Sequence, residues 1–326
     1  MHPSDTQQRN EGEPRARPPI DLDAGRRTFF KASGLALASA TLLGTDVFSP
    51  DAFAQSAAPT DVQILNFALN LEYLEGEFYS RAVSNIGLES QDTTGVGGDP
   101  GPVSGGRKVS FSNPLVVDIA NEIANDEIAH IRFIRRTLGG SAAARPAIDI
   151  DGAFTAAARA AGVVGPGETF DPYASDVNFL LGAYMFEVGV TAYHGAAPLI
   201  SSKEILRSAA GIMAVEAYHY SSIRTMLFSM QSADPTLPIF QDTRLISALR
   251  YTLSNPNTGV PDDQGIAPDQ STISNGPPTM GNLVPTDGDS LTFARIQPQV
   301  LNIVYGARDA SKGQFFPNGI NPGNAS

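Results

Sequence analysis

Four stretches of the chain repeat apolar residues at a helical period. The first opens at Thr60-Asp61-Val62-Gln63, where a Thr followed three residues later by Gln makes a capping box. Leu65, Ala68, Leu69, Leu71 and Phe78 then share that period with Glu72, Glu75 and Tyr79, to about Val83. Asn113 caps the second, with Pro114 at its first position; Leu115, Ile119, Ile123, His130 and Ile134 carry it to Gly139-Gly140. Ser175-Asp176 caps a third helix, predicted unbroken from Val177 to about Ala197 and ended at Pro198. A second capping box, Ser201 with Glu204, opens a fourth running to about Gln231. Shorter helices are predicted over Gly152 to Ala161, Gln241 to Leu253 and Pro298 to Val304.

The stretches between them are equally informative. Asn85 to Ser112 is rich in Gly, Asp, Pro and Ser and reads as a long loop or hairpin insertion. From Ser254 to Ser326 the chain is again rich in Gly, Pro, Asn and Asp. It also carries Leu283, Val284, Phe293, Ile303, Val304, Phe315 and Phe316, too much apolar surface for plain disorder. The expectation is a mostly α protein: a four-helix bundle over 58–231, then an irregular C-terminal extension, 232–326, wrapped on the bundle.

Residues 1–54 read as an address. Gly25-Arg26-Arg27-Thr28-Phe29-Phe30-Lys31 precedes an apolar run from Ala32 to Leu43, and Ala52-Phe53-Ala54 forms a cleavage site before Gln55. The run is well short of the roughly 20 residues that span a bilayer. The Arg pair followed by Phe and Lys resembles a twin-arginine export signal, so a periplasmic or extracellular destination is expected, without stable membrane insertion.

Composition narrows the chemistry. The net charge of −12 repels nucleic acid and anionic membrane surfaces, so neither is an expected partner. The chain has no Cys, which removes disulfides, iron–sulfur clusters, thiolate metal sites and Cys nucleophiles together. Any metal site must use Asp, Glu and His, and the whole chain has only 4 His. No Gly-x-Ser-x-Gly elbow is present, and Gly95-Val96-Gly97-Gly98 does not sit at a strand-to-helix turn.

Two of the histidines follow Glu by three positions: Glu127-Ile128-Ala129-His130 and Glu216-Ala217-Tyr218-His219. On a helix, residues three apart lie about 60° from one another, so each Glu and His share a face. Chance would place Glu at −3 before two of the three histidines beyond the export signal only about four times in a thousand. The motifs fall on the second and fourth long helices. A di-metal carboxylate bundle has that arrangement, with one Glu contributed by each of the other two helices. The third helix offers Glu187. The first offers Glu72 or Glu75 on its apolar face, while Glu77 is expected to point away. Glu72 is preferred because Tyr79 follows it by seven residues, as His194 follows Glu187; Glu75 stays open as the alternative. A single Glu–His pair reads most simply as a satisfied polar network. Several carboxylates buried together without a cation would cost several kcal/mol through mutual repulsion and lost hydration. Carboxylate with imidazole suits Fe or Mn.

The stretch Phe67-Ala68-Leu69-Asn70-Leu71-Glu72-Tyr73-Leu74-Glu75-Gly76-Glu77-Phe78-Tyr79 resembles the first helix of ferritin-like proteins of the desiccation-related group. Phe179 to Pro198, Gln299 to Gly306 and Phe315 to Gly319 are similar to the same group. The resemblance implies a ferritin-like fold and a di-iron or di-manganese centre, and it leaves oligomer formation open. By analogy with related centres, Glu127 and Glu216 would bridge two divalent ions, His130 and His219 would each bind one, and Glu72 and Glu187 would be terminal ligands. Such a centre meets O2 or peroxide, which implies oxidoreductase chemistry in desiccation or oxidative stress. The long loop and tail depart from cage-forming ferritins, so an iron-storage shell is not implied. A different class of function, a metal-free structural or interaction protein of the cell envelope, uses the same bundle as scaffold.

Overall fold

In a computed structural model of the chain, the structure describes residues 58–186, 188–256, 259–267 and 281–323. All belong to one compact unit, Ser56–Ser326. The residues read as an export signal lie outside the described ones.

The bundle is built around helix α1, Asp61–Ser84. Every residue from Ile64 to Ser80 is buried, so this helix runs through the interior rather than along a surface. Thr60 caps it as predicted: its side chain accepts from the Gln63 amide, and the Gln63 side chain reaches back to the Thr60 amide. A helix buried on all sides must find partners for its polar residues. Asn66 accepts from the Ala143 amide at 2.8 Å. Asn70 donates to the Asn321 carbonyl at 2.7 Å and accepts from its amide at 2.9 Å. Glu77, expected at a solvent face, is instead fully buried and ion-paired with Arg81 and Arg145. The loops of residues 85–112 and 139–151 close over that side of α1, so the face predicted from the helix alone is covered by chain from elsewhere.

Helix α2, Pro114–Leu138, packs along α1 with a stripe of Val116, Ala120, Ile123, Ala124, Ile131 and Ile134. The preceding loop contains a single helical turn, Ser90–Thr93, and strand β1, Val103–Gly105, which pairs in parallel with β2, Ile148–Ile150. Helix α3, Gly152–Ala161, brings Phe154 onto Phe78, ring centroids 5.3 Å apart. Phe179 stacks on the same ring at 5.4 Å and Phe186 meets it edge-on at 5.1 Å.

The third long helix is not continuous. It is resolved into α4, Asp176–Phe186, and α5, Gly189–Ala196, with Val188 out of helical conformation at φ −121°, ψ 2°. Two causes are visible. Val188-Gly189-Val190-Thr191 is a run of weak helix formers. In addition, the Tyr184 carbonyl accepts from the Arg250 guanidinium, from outside the bundle helices.

Helix α6, Lys203–Ala233, contacts α2, α4 and α5. Its cap lies one residue later than the Ser201–Glu204 pattern predicts: Ser202 accepts from the Ile205 amide at 3.3 Å. The Ser201 hydroxyl is already engaged, donating to the Asp61 carboxylate at 2.9 Å. Helix α7, Ile239–Ser254, follows, and α8, Gln297–Tyr305, packs on α7 and α5. Val300, Val304, Phe315 and Phe316 of the tail are buried, Phe315 edge-on to Phe154 at 5.1 Å. Among the described residues no helix is long and apolar enough to cross a membrane.

Candidate metal centre

Glu72 on α1, Glu127 and His130 on α2, and Glu216 on α6 converge in the bundle interior. One ligand-type atom from each lies within 4.8 Å of the others. All four are buried: Glu127 is 0% exposed, Glu72 and Glu216 1%, His130 8%. His130 Nδ1 is the hub, 3.2 Å from Glu72 Oε2, 3.3 Å from Glu216 Oε1 and 3.5 Å from Glu127 Oε2. The helical offset of three residues places Glu127 and His130 side by side, and the bundle packing supplies the other two. Glu75 is buried one turn along α1, outside this group.

His219 joins from α6, its Nδ1 3.1 Å from Glu127 Oε1 and its Nε2 3.0 Å from Asp126 Oδ2. A carboxylate at Nε2 fixes the proton there and turns Nδ1 toward Glu127, the usual way an outer carboxylate orients a metal-ligating histidine. Glu187, expected from the third helix, lies outside the described residues.

Charge is not balanced within the cluster. Three carboxylates crowd around His130 Nδ1, whose single proton can serve only one of them, and the Nδ1 that His219 turns to Glu127 carries no proton when the proton sits on Nε2. The His130 proton goes to Glu72, and among the described residues no hydrogen bond reaches either oxygen of Glu127 or of Glu216. Burial pushes the Glu72 carboxyl up to about 7, against the pull of His130. Burial likewise raises the Glu216 carboxyl. Burial opposes a proton on His130, but the surrounding carboxylates overcome it and hold the ring protonated far above its ordinary range. Buried carboxylate oxygens without donors are costly. A divalent cation among Glu72, Glu127, Glu216 and His130 would remove the deficit, so the donor set fits oxygen- and nitrogen-preferring metals.

Two neighbours shape the cluster. The Tyr193 hydroxyl on α5 donates to Glu72 Oε1 at 2.5 Å, and burial keeps this phenol protonated. Gly189 faces Glu216: a Cβ there would lie 2.5 Å from Oε2, so only Gly leaves the carboxylate its room.

Sequence reasoning did not find Asp126, Tyr193 or Gly189. The seven-residue parallel pairs Tyr79 with Glu72 and His194 with Glu187; among the described residues neither Tyr79 nor His194 is grouped with Glu72, Glu127, His130 and Glu216. Tyr79 packs edge-on to Phe179 at 5.9 Å, while His194 Nδ1 sits 3.1 Å from Thr292 Oγ1 in the tail. The parallel rests on Glu187, which lies outside the described residues; among those described on α5, Tyr193 is the one that reaches Glu72. Asp126 carried one usable signal, its place beside Glu127 on a helix facing α6.

A helical bundle with a buried cluster of Glu and His from three of its helices defines a class, and the comparisons agree. Residues 60–229 match the ferritin-like domain family, and the chain belongs to that family. It is 31% identical to the protein named ferritin-like catalase Nec2 of Nesocodon mauritianus over 270 residues, 80% of this chain and 83% of that one. It is 32% identical to the desiccation-related protein PCC13-62 of Craterostigma plantagineum over 268 residues, 79% of this chain and 82% of that one. No solved structure matches the chain.

Proposed function

We propose that the protein is exported and holds two divalent ions, iron or manganese, at which hydrogen peroxide or O2 reacts, as part of protection against drying or oxidative stress. The observation that carries the reading is the buried Glu127–Glu216 pair, without hydrogen-bond donors, beside His130. Glu127 and Glu216 would hold the ions between them, with His130, His219 and Glu72 completing the donor set. Sequence position assigns Glu187 as the counterpart of Glu72. A bound pair of such ions supplies reversible two-electron exchange, which suffices to turn two molecules of hydrogen peroxide into dioxygen and two of water.

The chain's own groups prepare the site. Asp126 holds the His219 ring by Nε2, and Tyr193 holds Glu72 by Oε1. The apolar surround excludes bulk water, which strengthens each charge interaction inside. The proton on His130 Nδ1 must leave as a cation enters, so metal binding releases protons and strengthens with pH. The names of the two relatives, a catalase and a desiccation-related protein, favour peroxide as the substrate.

The test is oxygen release from hydrogen peroxide by protein loaded with Fe or Mn, compared with Glu127→Ala. Loaded protein that evolves no oxygen and consumes no peroxide overturns the peroxide reading. Metal-free protein with the stability of the purified form supports a scaffold in the cell envelope instead. Export rests on Arg26-Arg27: changing both to Lys should leave precursor in the cytoplasm, and normal export of that variant refutes the twin-arginine route.

A further inference from the structure

Helix α5 touches the metal cluster on one side and the C-terminal tail on the other. At 100° per residue, Gly189 and Tyr193 fall on one face, and Thr191, His194 and Gly195 on the opposite face. On the first face, Gly189 abuts the Glu216 carboxylate and Tyr193 donates to Glu72. On the second, the tail segment from Thr292 to Arg295 lies hard against the helix. The Arg295 amide donates to the Thr191 carbonyl at 2.9 Å. His194 Nδ1 lies 3.1 Å from Thr292 Oγ1 and 3.3 Å from the Phe293 carbonyl. A Cβ at Gly195 would lie 2.0 Å from the Arg295 carbonyl oxygen, so the backbones are in direct contact.

The helix is interrupted before Gly189, and α5 is placed by what packs on it: α6, α1, α8 and the tail. Arg295 is itself fixed: its guanidinium donates to Asp262 Oδ2 at 2.8 Å and Asp263 Oδ2 at 2.7 Å, and Asp263 also pairs with Arg250 on α7.

We infer that the C-terminal tail is a working part of the metal centre, with Arg295 and Tyr193 as positioning residues: the tail grips α5, α5 places the Tyr193 hydroxyl, and that hydroxyl holds Glu72 in its ligating pose. The inference rests on the metal reading proposed above. It gives the tail a role in metal affinity distinct from its role in stability.

The experiment is a double-mutant cycle on the full chain, stripped of metal and titrated with Mn2+, with the melting temperature of each metal-free variant recorded. Tyr193→Phe removes one hydroxyl and should weaken Mn2+ binding about tenfold, the usual size for loss of an outer partner of a ligand. Arg295→Lys loosens the grip on α5 and should weaken it comparably. The combined variant should be no weaker than either single one, because both break the same link. Arg308→Gln detaches the tail from the Thr252 carbonyl on α7, not from α5, and should leave Mn2+ affinity within about twofold of wild type. If Arg295→Lys does not fold, His194→Ala carries the test, since that residue is half-buried and grips Thr292 and Phe293; a severalfold loss is expected. Folded Arg295→Lys or His194→Ala with wild-type affinity overturns the inference, as do losses that multiply in the combined variant. Wild-type chain that binds no Mn2+ and no Fe2+ overturns the metal reading, and this inference with it.

Discussion

Arg250 and Glu127 are both buried charges, 2% and 0% exposed, yet their surroundings treat them in opposite ways. Arg250 donates to both oxygens of Asp263 at 2.8 Å and to the Tyr220 hydroxyl at 2.9 Å. Arg224, in the same cluster, donates to the carbonyls of Gln264 and Gly265 at 2.9 Å each. Among the described residues the oxygens of Glu127 and Glu216 have the imidazoles of His219 and His130 beside them, at 3.1 Å and 3.3 Å, and no hydrogen bond with good geometry. The shifts of the acids follow. Burial would raise Asp263, but Arg250 and Arg295 hold it down to about 2. Burial raises Glu72 to about 7, and one imidazole is too little to reverse that. The Arg250–Asp263 pair is satisfied by the chain's own atoms. The Glu–His cluster is short of positive charge by an amount that metal ions would supply.

Removing one negative charge from each cluster should therefore have opposite consequences. Asp263→Asn strands the buried Arg250 guanidinium and should destabilise the protein by about 3–5 kcal/mol, the usual cost of breaking a buried ion pair. Urea unfolding with and without chelator should give the same loss, because no metal is involved; a loss that vanishes on chelation would mean the two clusters are not separate.

Breaking the other cluster should depend on metal. Glu127→Ala should lower the metal content and the melting temperature together, by about 3 kcal/mol when metal is at a hundredfold excess over its Kd. Glu122→Ala, exposed on the same helix, should change neither. Chelated wild type should fall toward Glu127→Ala, since both lack the same cation. If chelation leaves the wild-type melting curve unmoved, the clustered acids need no metal.

These substitutions also show which parts of the account were legible in the sequence. The caps at Thr60 and Asn113 and the helices over 61–84 and 114–138 follow from local chemistry, and local pattern reads them well. The Glu-x-x-His spacing is equally local, and it marked Glu127, His130, Glu216 and His219 before any packing was known. The choice of Glu72 over Glu75 rests in the sequence on a parallel with Glu187, outside the described residues; in the fold Glu72 is the one that meets His130. What escaped was non-local. Glu77 is buried because Arg145, from a loop 68 residues away, closes over it. The α4–α5 interruption depends partly on Arg250, 66 residues on from the carbonyl it engages. No window on the sequence contains both partners.

The pH response sharpens the contrast. An acid with a depressed folded pKa contributes stability above its unfolded value and loses it as pH falls through the folded one. Asp263 should therefore withdraw stability between about pH 4 and pH 2. An acid with a raised folded pKa contributes below its unfolded value and loses that contribution as pH rises. Glu72 should cost the metal-free protein stability from about pH 4.5 to about pH 7. Melting temperatures across this range with chelator should fall toward neutrality, and saturating Mn2+ should remove that slope. A metal-free protein with a flat profile from pH 4.5 to 7 would contradict the crowding of acids around His130.

The smallest expected effect has the most distinctive sign. Glu127→Gln keeps the shape and removes one of the crowded charges. In the metal-free protein it should stabilise slightly by relieving repulsion from the neighbouring carboxylates, where Asp263→Asn destabilises. If both neutral isosteres destabilise the metal-free protein, the two clusters are alike and the comparison fails.

The most direct test of the central claim is elemental analysis of the protein purified from its native host, alongside Glu127→Ala prepared identically. The account predicts about two ions of iron or manganese per wild-type chain and a clear loss in the variant. Less than about one ion per wild-type chain, or equal metal in the two proteins, would contradict it.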